Sequence, residues 1–143
     1  MTIDPPAVSG RQFGHAHCVM CGDENFWSLG LVFRSDAEGG VSAAFQGHAG
    51  LQGYDGILHG GIVSALLDAA MTHCLFRHGI RAVTAELKVR FHQPVPFAAP
   101  LLLSARPVAL KPPVYKVAAE LAEAGRVLAR AEASFMRMKG DGP

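Results

Sequence analysis

The pattern of apolar and polar positions divides the chain into short apolar runs, one long helical segment and several alternating segments. Residues 29–33 and 41–45 are brief apolar runs separated by a glycine-containing turn, which is typical of a hairpin. Residues 62–76 contain no Gly or Pro and are rich in Ala, Leu and Met, so they predict a helix. Gly79 lies just beyond that segment, where a helix cap is expected.

After the helix, the hydrophobic period changes to two. Apolar and polar side chains alternate strictly over residues 83–92, which predicts a half-buried strand with Thr84 on its polar face. Three more strands are predicted at residues 101–109, 114–121 and 127–135, separated by a pair of prolines and a glycine turn. The order is therefore two strands, one long helix and about four further strands.

This order predicts an α+β fold with an antiparallel meander and a single helix. Because the helix is apolar nearly all round, we expect a sheet that curls around it. The 143 residues fit one domain. We expect an irregular N-terminal arm over residues 1–14, the folded domain over residues 15–138 and a C-terminal tail over residues 139–143. The remaining sheet edges favour self-association, most simply as a symmetric dimer.

Composition excludes several classes of protein. Half of the residues are hydrophobic and 17% are charged, which is enough apolar surface for a real core. The net charge is +1 and the basic residues are scattered, so we expect no nucleic-acid binding. No apolar run reaches the length of a membrane span, and the N-terminus lacks a signal-peptide pattern, so we expect a cytoplasmic protein without a membrane partner. The three cysteines are expected to be reduced.

One stripe of the predicted helix is polar. Ser64, Asp68 and Thr72 follow one another at intervals of four residues, and Asp68 is the only carboxylate on the helix. An aspartate in an arbitrary helix usually faces solvent or is satisfied by a neighbour such as Thr72. A carboxylate among Leu and Ala is, however, a candidate general base or nucleophile.

Two glycines stand at the predicted start of the helix, in the sequence His59-Gly60-Gly61. The first amides of a helix have no partner within it, so they offer an oxyanion hole, although a tight loop would also explain the glycines. Gly60 and Asp68 are eight residues apart, which is about 12 Å along a helix. If both act in one reaction, the amide of one subunit must face the carboxylate of another.

The stretch from Gln52 to Asp68, with His-Gly-Gly followed after six residues by Asp, resembles the signature of PaaI-like hotdog-fold acyl-CoA thioesterases. Residues 82–91 with Pro94 look like the next strand of that family, and residues 18–22 look like the start of one of its subgroups. The resemblance covers roughly residues 15–137. It implies a curved antiparallel sheet around one central helix, and dimers or dimers of dimers with active sites between subunits.

The resemblance also implies residue roles and an acyl-CoA substrate, without a cofactor. The Gly60 amide would bind the thioester oxygen, His59 and Gly61 would shape that turn, and Asp68 of the facing subunit would activate water or attack directly. Thr84 matches a position where some members carry a hydroxyl that orients water. Many members have Asn or Gln six residues before the motif histidine, where this chain has Gly53, with Gln52 one residue earlier. The remaining candidates for substrate binding are Thr72 and, for the coenzyme A phosphates, Lys88 and Arg90.

The sequence also contains residues that are typical of other functions. His15, His17, Cys18 and Cys21 offer four zinc ligands, but their spacing is poor for one tetrahedron, so we expect no bound metal. The hydratase signature of hotdog folds is incomplete after Asn25, and no Ser or Cys lies in a nucleophile turn. A hotdog protein that binds an acyl-CoA or aryl ligand without catalysis stays an alternative.

Overall fold

The computed structural model describes residues 5–138 of the chain. Within them lie one long helix, α1 (Gly60–Arg77), and seven strands. The strands are β1 (Ala7–Val8), β2 (Phe33–Ser35), β3 (Val41–Phe45), β4 (Ala82–Phe91), β5 (Leu101–Lys111), β6 (Val114–Glu123) and β7 (Arg126–Arg137). Two single turns of 3-10 helix lie at Arg11–Phe13 and Ala49–Leu51.

The strands form one antiparallel sheet in the order β1-β2-β3-β5-β6-β7-β4. β4 directly follows α1 in the chain, yet it lies at the edge of the sheet and pairs with β7. α1 packs against strands from both ends of the sheet and from its centre. The predicted α+β class, with a curved antiparallel sheet around one helix, is confirmed.

Burial around α1 explains why the sheet curves. Leu66, Leu67, Met71 and Leu75 of the helix are fully buried, and so are Phe33, Leu103 and Phe135 of the sheet. Removing one such side chain from water stabilises the fold by about 1.5–3 kcal/mol. The less buried side of α1 carries Ser64, Ala65 and Asp68. A flat sheet would leave much of the helix exposed, so the apolar sequence requires an enclosing one.

The ends of α1 are set by specific residues. The helix is predicted over residues 62–76 and runs over Gly60–Arg77, with His59 as its N-cap. Gly79 has a φ of +72°, a left-handed conformation that glycine adopts without strain, and this confirms the predicted cap. Beyond the helix, a nitrogen of the His78 ring lies 2.8 Å from the Gly39 carbonyl oxygen, which ties the helix end to the turn between β2 and β3.

The first predicted strand is wrong for most of its length. Residues 29–32 form a loop, and β2 begins only at Phe33. Backbone hydrogen bonds from Leu29 to Val19 and from Leu31 to Met20 hold this loop against the preceding segment rather than against a strand. The apolar side chains of a buried loop and of a short strand produce the same sequence pattern.

The N-terminal segment also differs from the irregular arm expected over residues 1–14. β1 pairs with β2, where Val8 lies opposite Phe33, and the Phe13 ring stacks on Phe76 of α1 at 4.5 Å between centroids. This segment is therefore part of the packed structure from Ala7 onward. Residues 1–4 of the expected arm and the expected tail over residues 139–143 lie outside the described residues.

The described chain has a single long helix, and no helix in it is long and apolar enough to cross a membrane.

Replacing Leu67, which is fully buried on α1, with Ala tests the enclosed core. We expect Leu67→Ala to lower the free energy of unfolding by about 2–5 kcal/mol, because the lost methyl groups leave a cavity that the sheet cannot close. Leu102→Ala is the matched control, since Leu102 is 53% exposed, and it should cost less than about 0.5 kcal/mol. Urea titration at one fixed protein concentration measures both variants, and equal losses would contradict the proposed role of helix enclosure.

Candidate active site at the start of the helix and on the edge strand

The amides at the start of α1 differ in whether they have a partner. The Gly61 amide donates to Nδ1 of the His59 side chain at 2.8 Å. The Ile62 and Val63 amides both donate to the His59 carbonyl oxygen. Within the described residues, the Gly60 amide has no hydrogen-bond partner. Of the first helix amides it alone is left to bind an external oxygen, at the positive end of the helix dipole.

The loop before α1 holds this helix start in place. The Gln52 side chain donates to the Ala49 carbonyl at 2.8 Å and accepts from the Gly56 amide at 2.7 Å. Gly53 lies so close to His59 that an added Cβ would stand 3.3 Å from the His59 Cα. Gln52 is therefore engaged within the loop, and its predicted contact with substrate stays a prediction.

A cleft of about 680 Å³ opens beside the helix start. Its walls come from the loop, the first turn of α1 and the segment that follows β4, and they include Tyr54, Ile57, Gly60, Val63, Phe91 and Val95. The size and the largely apolar walls suit a small organic group, with a few polar groups to orient it. The free Gly60 amide is one such group.

Asp68 lies two turns further along α1 and does not line this cleft. Its side chain is half-buried, and its Oδ1 accepts a hydrogen bond of 2.6 Å from the Thr84 hydroxyl on β4. The other members of the polar stripe bond within the helix, Ser64 to the Gly60 carbonyl and Thr72 to the Asp68 carbonyl, both at 3.0 Å. The Thr72 hydroxyl proton is therefore engaged within the helix, and its predicted contact with substrate stays a prediction.

A β-bulge explains how Thr84 reaches Asp68. The register between β4 and β7 shifts between Thr84 and Glu86, so Thr84 lies opposite Phe135, while Leu87 and Val89 lie opposite Ala133 and Ala131. Those partners on β7 are buried against the helix. Thr84 therefore shares a face with Leu87 and Val89, and the strict alternation expected over residues 83–92 is wrong at this point.

Lys88 and Arg90 lie on the opposite face of β4. They are paired in register with Glu132 and Arg130, which are exposed. The structure does not bring these two cations together with Asp68 and Thr84 of the same chain. Their predicted contact with coenzyme A phosphates is untested.

Of the four N-terminal residues considered as metal ligands, His15 and Cys21 lie together and His17 does not join them. The His17 side chain is 81% exposed and lies 3.8 Å from a Glu24 carboxylate oxygen. His15 and Cys21 instead lie close to His73 of α1, a residue that the sequence pattern did not single out because it sits 52 positions from Cys21 in an apolar helix.

Burial sets the direction of the pKa shifts in the cluster of His15, Cys21 and His73. Burial raises the pKa of the Cys21 thiol to about 12, and the neighbouring Cys18 thiol acts in the same direction. Burial, assisted by the nearby His15 and opposed by the backbone of Val8, lowers the pKa of His73 to about 4. The pKa of His15 is lowered as well, first by burial and then by Arg81. Both imidazoles are therefore neutral at pH 7.

Comparisons with known proteins agree with this architecture. The model of the thioesterase superfamily matches residues 55–129, which include α1, β4, β5, β6 and the start of β7. Over 107 residues the chain is 30% identical to acyl-coenzyme A thioesterase THEM4 of Bos taurus. That match covers 73% of this chain and 43% of the relative, so the chain spans less than half the length of that curated protein.

Two solved structures show the same fold. The thioesterase superfamily protein RHA08564 matches with a TM-score of 0.81 and 24% identity, covering 95% of this chain and 68% of that one. The PaaI protein from the phenylacetic acid degradation operon of E. coli matches with a TM-score of 0.71 and 20% identity, covering 76% and 84%. The resemblance to PaaI-like hotdog proteins is thereby confirmed, and with the family match over residues 55–129 this chain belongs to the thioesterase superfamily.

Proposed function

We propose that this protein hydrolyses acyl-CoA thioesters to a free acid and coenzyme A at a site shared by two copies of the chain. One observation carries the proposal. The unpartnered Gly60 amide lines the apolar cleft, whereas the only carboxylate of the same helix, Asp68, lies about 12 Å further along and outside that cleft. The similarity to acyl-coenzyme A thioesterase THEM4 supports the choice of substrate class.

The exposed edge of β4 supports a second copy. Eight of its ten residues are exposed, among them the apolar Val83, Leu87 and Phe91, at 50%, 36% and 51%. An edge strand with exposed backbone groups and apolar side chains favours pairing with another strand. We infer that two copies of β4 pair antiparallel about a twofold axis and continue the sheet from one subunit into the next.

Such pairing brings Asp68 and Gly60 of different copies together. Asp68 contacts Thr84 near the beginning of β4, and Gly60 lies beside Phe91 at its end, where an added Cβ would be 3.7 Å from the ring. Antiparallel pairing centred near Leu87 places the Thr84 end of one strand opposite the Phe91 end of the other. The carboxylate of one copy then faces the cleft of the other.

The chemistry follows from these two groups. The Gly60 amide donates to the thioester carbonyl oxygen and stabilises the negative charge that develops there during attack. As general base, Asp68 of the second copy accepts a proton from water while the water oxygen bonds to the carbonyl carbon. The carbon–sulfur bond then breaks, and coenzyme A leaves as a thiol after taking up the proton. As nucleophile, the Asp68 carboxylate would instead attack the carbonyl carbon, and the carbon–sulfur bond would break to release coenzyme A as a thiolate. Water would then hydrolyse the mixed anhydride to the free acid and restore the carboxylate.

The Thr84 hydroxyl orients the Asp68 carboxylate through its 2.6 Å hydrogen bond. The acyl group enters the apolar cleft of about 680 Å³. Lys88 and Arg90 stand on the outer face of the pairing strand, where they are candidates for the phosphates of coenzyme A bound at the junction of two copies.

Asp68→Asn tests the proposed base or nucleophile. We expect it to lower kcat for acyl-CoA hydrolysis at least about a hundredfold, because the amide cannot accept the proton or attack the carbonyl. The assay measures free thiol released from acetyl, medium-chain, long-chain and phenylacetyl CoA esters. Asp68→Ala should show a similar loss while gel filtration shows the parent oligomer. Parent rates in both variants would remove Asp68 from the mechanism.

Gly60→Pro tests the oxyanion donor, because proline lacks the amide but fits the first position of a helix. His59 already has the extended backbone that a residue before proline adopts, with φ −56° and ψ 134°. We expect kcat to fall about a hundredfold or more. Gly60→Ala keeps the amide and meets only ordinary contacts with Phe91, so it should retain activity within about threefold.

Mixed dimers of the Asp68→Ala and Gly60→Pro chains test whether the site is shared. Each mixed dimer has one site with both groups intact only if those groups come from different copies. After dissociation and random reassembly in equal amounts, we expect about a quarter of the parent activity, since half of the dimers are mixed and each has one working site. Activity no higher than that of the two inactive parents would show that both groups act within one chain.

Thr84→Val tests the positioning of Asp68. Valine has nearly the same shape but cannot donate the hydrogen bond, so we expect kcat to fall about tenfold to a hundredfold with KM little changed. Thr84→Ser keeps the hydroxyl and should restore activity to within about threefold of the parent. Equal rates for the two variants would show that the hydrogen bond does not contribute to catalysis.

A further inference from the structure

A second group of polar side chains lies where the N-terminal segment crosses the later part of α1. The ligand atoms of His15, Cys21 and His73 all lie within 4.8 Å of one another, and Cys21 Sγ is 3.6 Å from His15 Nδ1. In tetrahedral zinc sites the Zn–S and Zn–N bonds are about 2.3 Å and 2.0 Å, which places sulfur and nitrogen about 3.5 Å apart. Cys21 and His15 are thus spaced nearly as a bound ion would space them, and a ligand atom of His73 lies within 4.8 Å of both.

The His73 imidazole lacks the partner that its position requires. Its side chain is 2% exposed, and neither ring nitrogen makes a hydrogen bond of normal geometry to any residue in the described part of the chain. One face of the ring stacks on Phe33 at 4.5 Å. Buried polar atoms without partners are rare because they lose their bonds to water without compensation. A metal ion that binds the lone pair of a ring nitrogen would compensate for the lost bonds to water.

The turn from Cys18 to Gly22 holds two thiols close together. The Met20 amide donates to Cys18 Sγ at 3.3 Å, and the Gly22 amide donates to the Cys18 carbonyl at 2.8 Å. A Cβ on Gly22 would lie 2.4 Å from the Cys18 nitrogen, so the turn requires glycine. Amide hydrogen bonds to sulfur are typical of the surroundings that orient thiolate ligands.

An opening reaches this cluster from the surface. A cavity of about 220 Å³ is lined by Val8, Gly10, His15, Cys21 and His73, so an ion has a path to the ligand atoms. The cluster is separate from the cleft beside Gly60, which has different lining residues.

We propose that His15, Cys21 and His73 bind one zinc ion, with Cys18 available for the fourth tetrahedral position. On binding, the Cys21 thiol loses its proton to solvent and its sulfur bonds to the metal, while each imidazole donates a ring-nitrogen lone pair. Sulfur and imidazole ligands favour zinc over magnesium or calcium. Since His73 lies on α1 and the other ligands precede β2, the ion fastens the N-terminal segment to the helix.

Metal titration of the intact chain tests the site. After removal of any affinity tag and treatment with a chelator, the protein is titrated with zinc chloride, and bound metal is measured by mass spectrometry. We expect one zinc per chain and a higher melting temperature with zinc than without it. Cobalt(II) in place of zinc should give the near-ultraviolet charge-transfer band of a cobalt–thiolate bond.

Variants of the ligands locate the ion. We expect Cys21→Ser, His15→Gln and His73→Leu each to weaken zinc binding at least about tenfold and the first to weaken the thiolate band. The controls are His17→Gln, the exposed histidine of the same segment, and Cys74→Ala, a buried thiol next to His73 on α1, and both should retain one zinc.

The proposal is overturned if the chain binds no zinc, or if Cys21→Ser binds it as tightly as the parent. In that case the 3.6 Å contact is a hydrogen bond between the Cys21 thiol and His15. His73 is buried in the core, so His73→Leu is included only if its circular dichroism matches the parent. Cys21→Ser and His15→Gln change half-buried positions and decide the question without it.

Discussion

The structure depends on one constraint, the need to bury a helix that has almost no polar side. Leu66, Leu67, Met71 and Leu75 lose all contact with water. A single sheet can meet this demand only by curving around the helix, which leaves its two edges apart. β4 consequently lies at an open edge of the sheet. Asp68, the single acidic residue of α1, contacts this strand through the Thr84 hydroxyl.

The stiffness of the same helix separates the two groups that the proposed chemistry needs. Hydrogen bonds within α1 fix the distance between Gly60 and Asp68, and no local motion can bring them onto one carbonyl. His59 satisfies the neighbouring amides, so the donor is limited to one position. Oligomer formation and catalysis are thus linked in this proposal. One second copy of the chain pairs with the open sheet edge and also supplies the carboxylate that the cleft lacks.

The opposite part of α1 serves a different purpose. The segment before β2 buries Met20 and Leu31 in the core, stacks Phe13 on Phe76 of the helix, and meets the helix again at the cluster of His15, Cys21 and His73. Side chains from distant parts of the chain stabilise the segment before β2 only if they pack closely or form well-aligned polar contacts. The ring nitrogens of His73, which are buried without a hydrogen bond of normal geometry to any described residue, are the reason for placing the proposed zinc ion there.

The sequence by itself determined the helix, the strand after it and the later meander, and it singled out Gly60 and Asp68 as candidates, because periodicity, helix ends and turn residues are local properties. Only the tertiary structure decided which residues meet. The bulge that turns Thr84 toward Asp68 depends on the register with β7, and the approach of His73 to Cys21 depends on how the N-terminal segment crosses the helix. These contacts join residues that are far apart in the chain. They depend on how the elements pack, and a local sequence pattern contains no information about that packing.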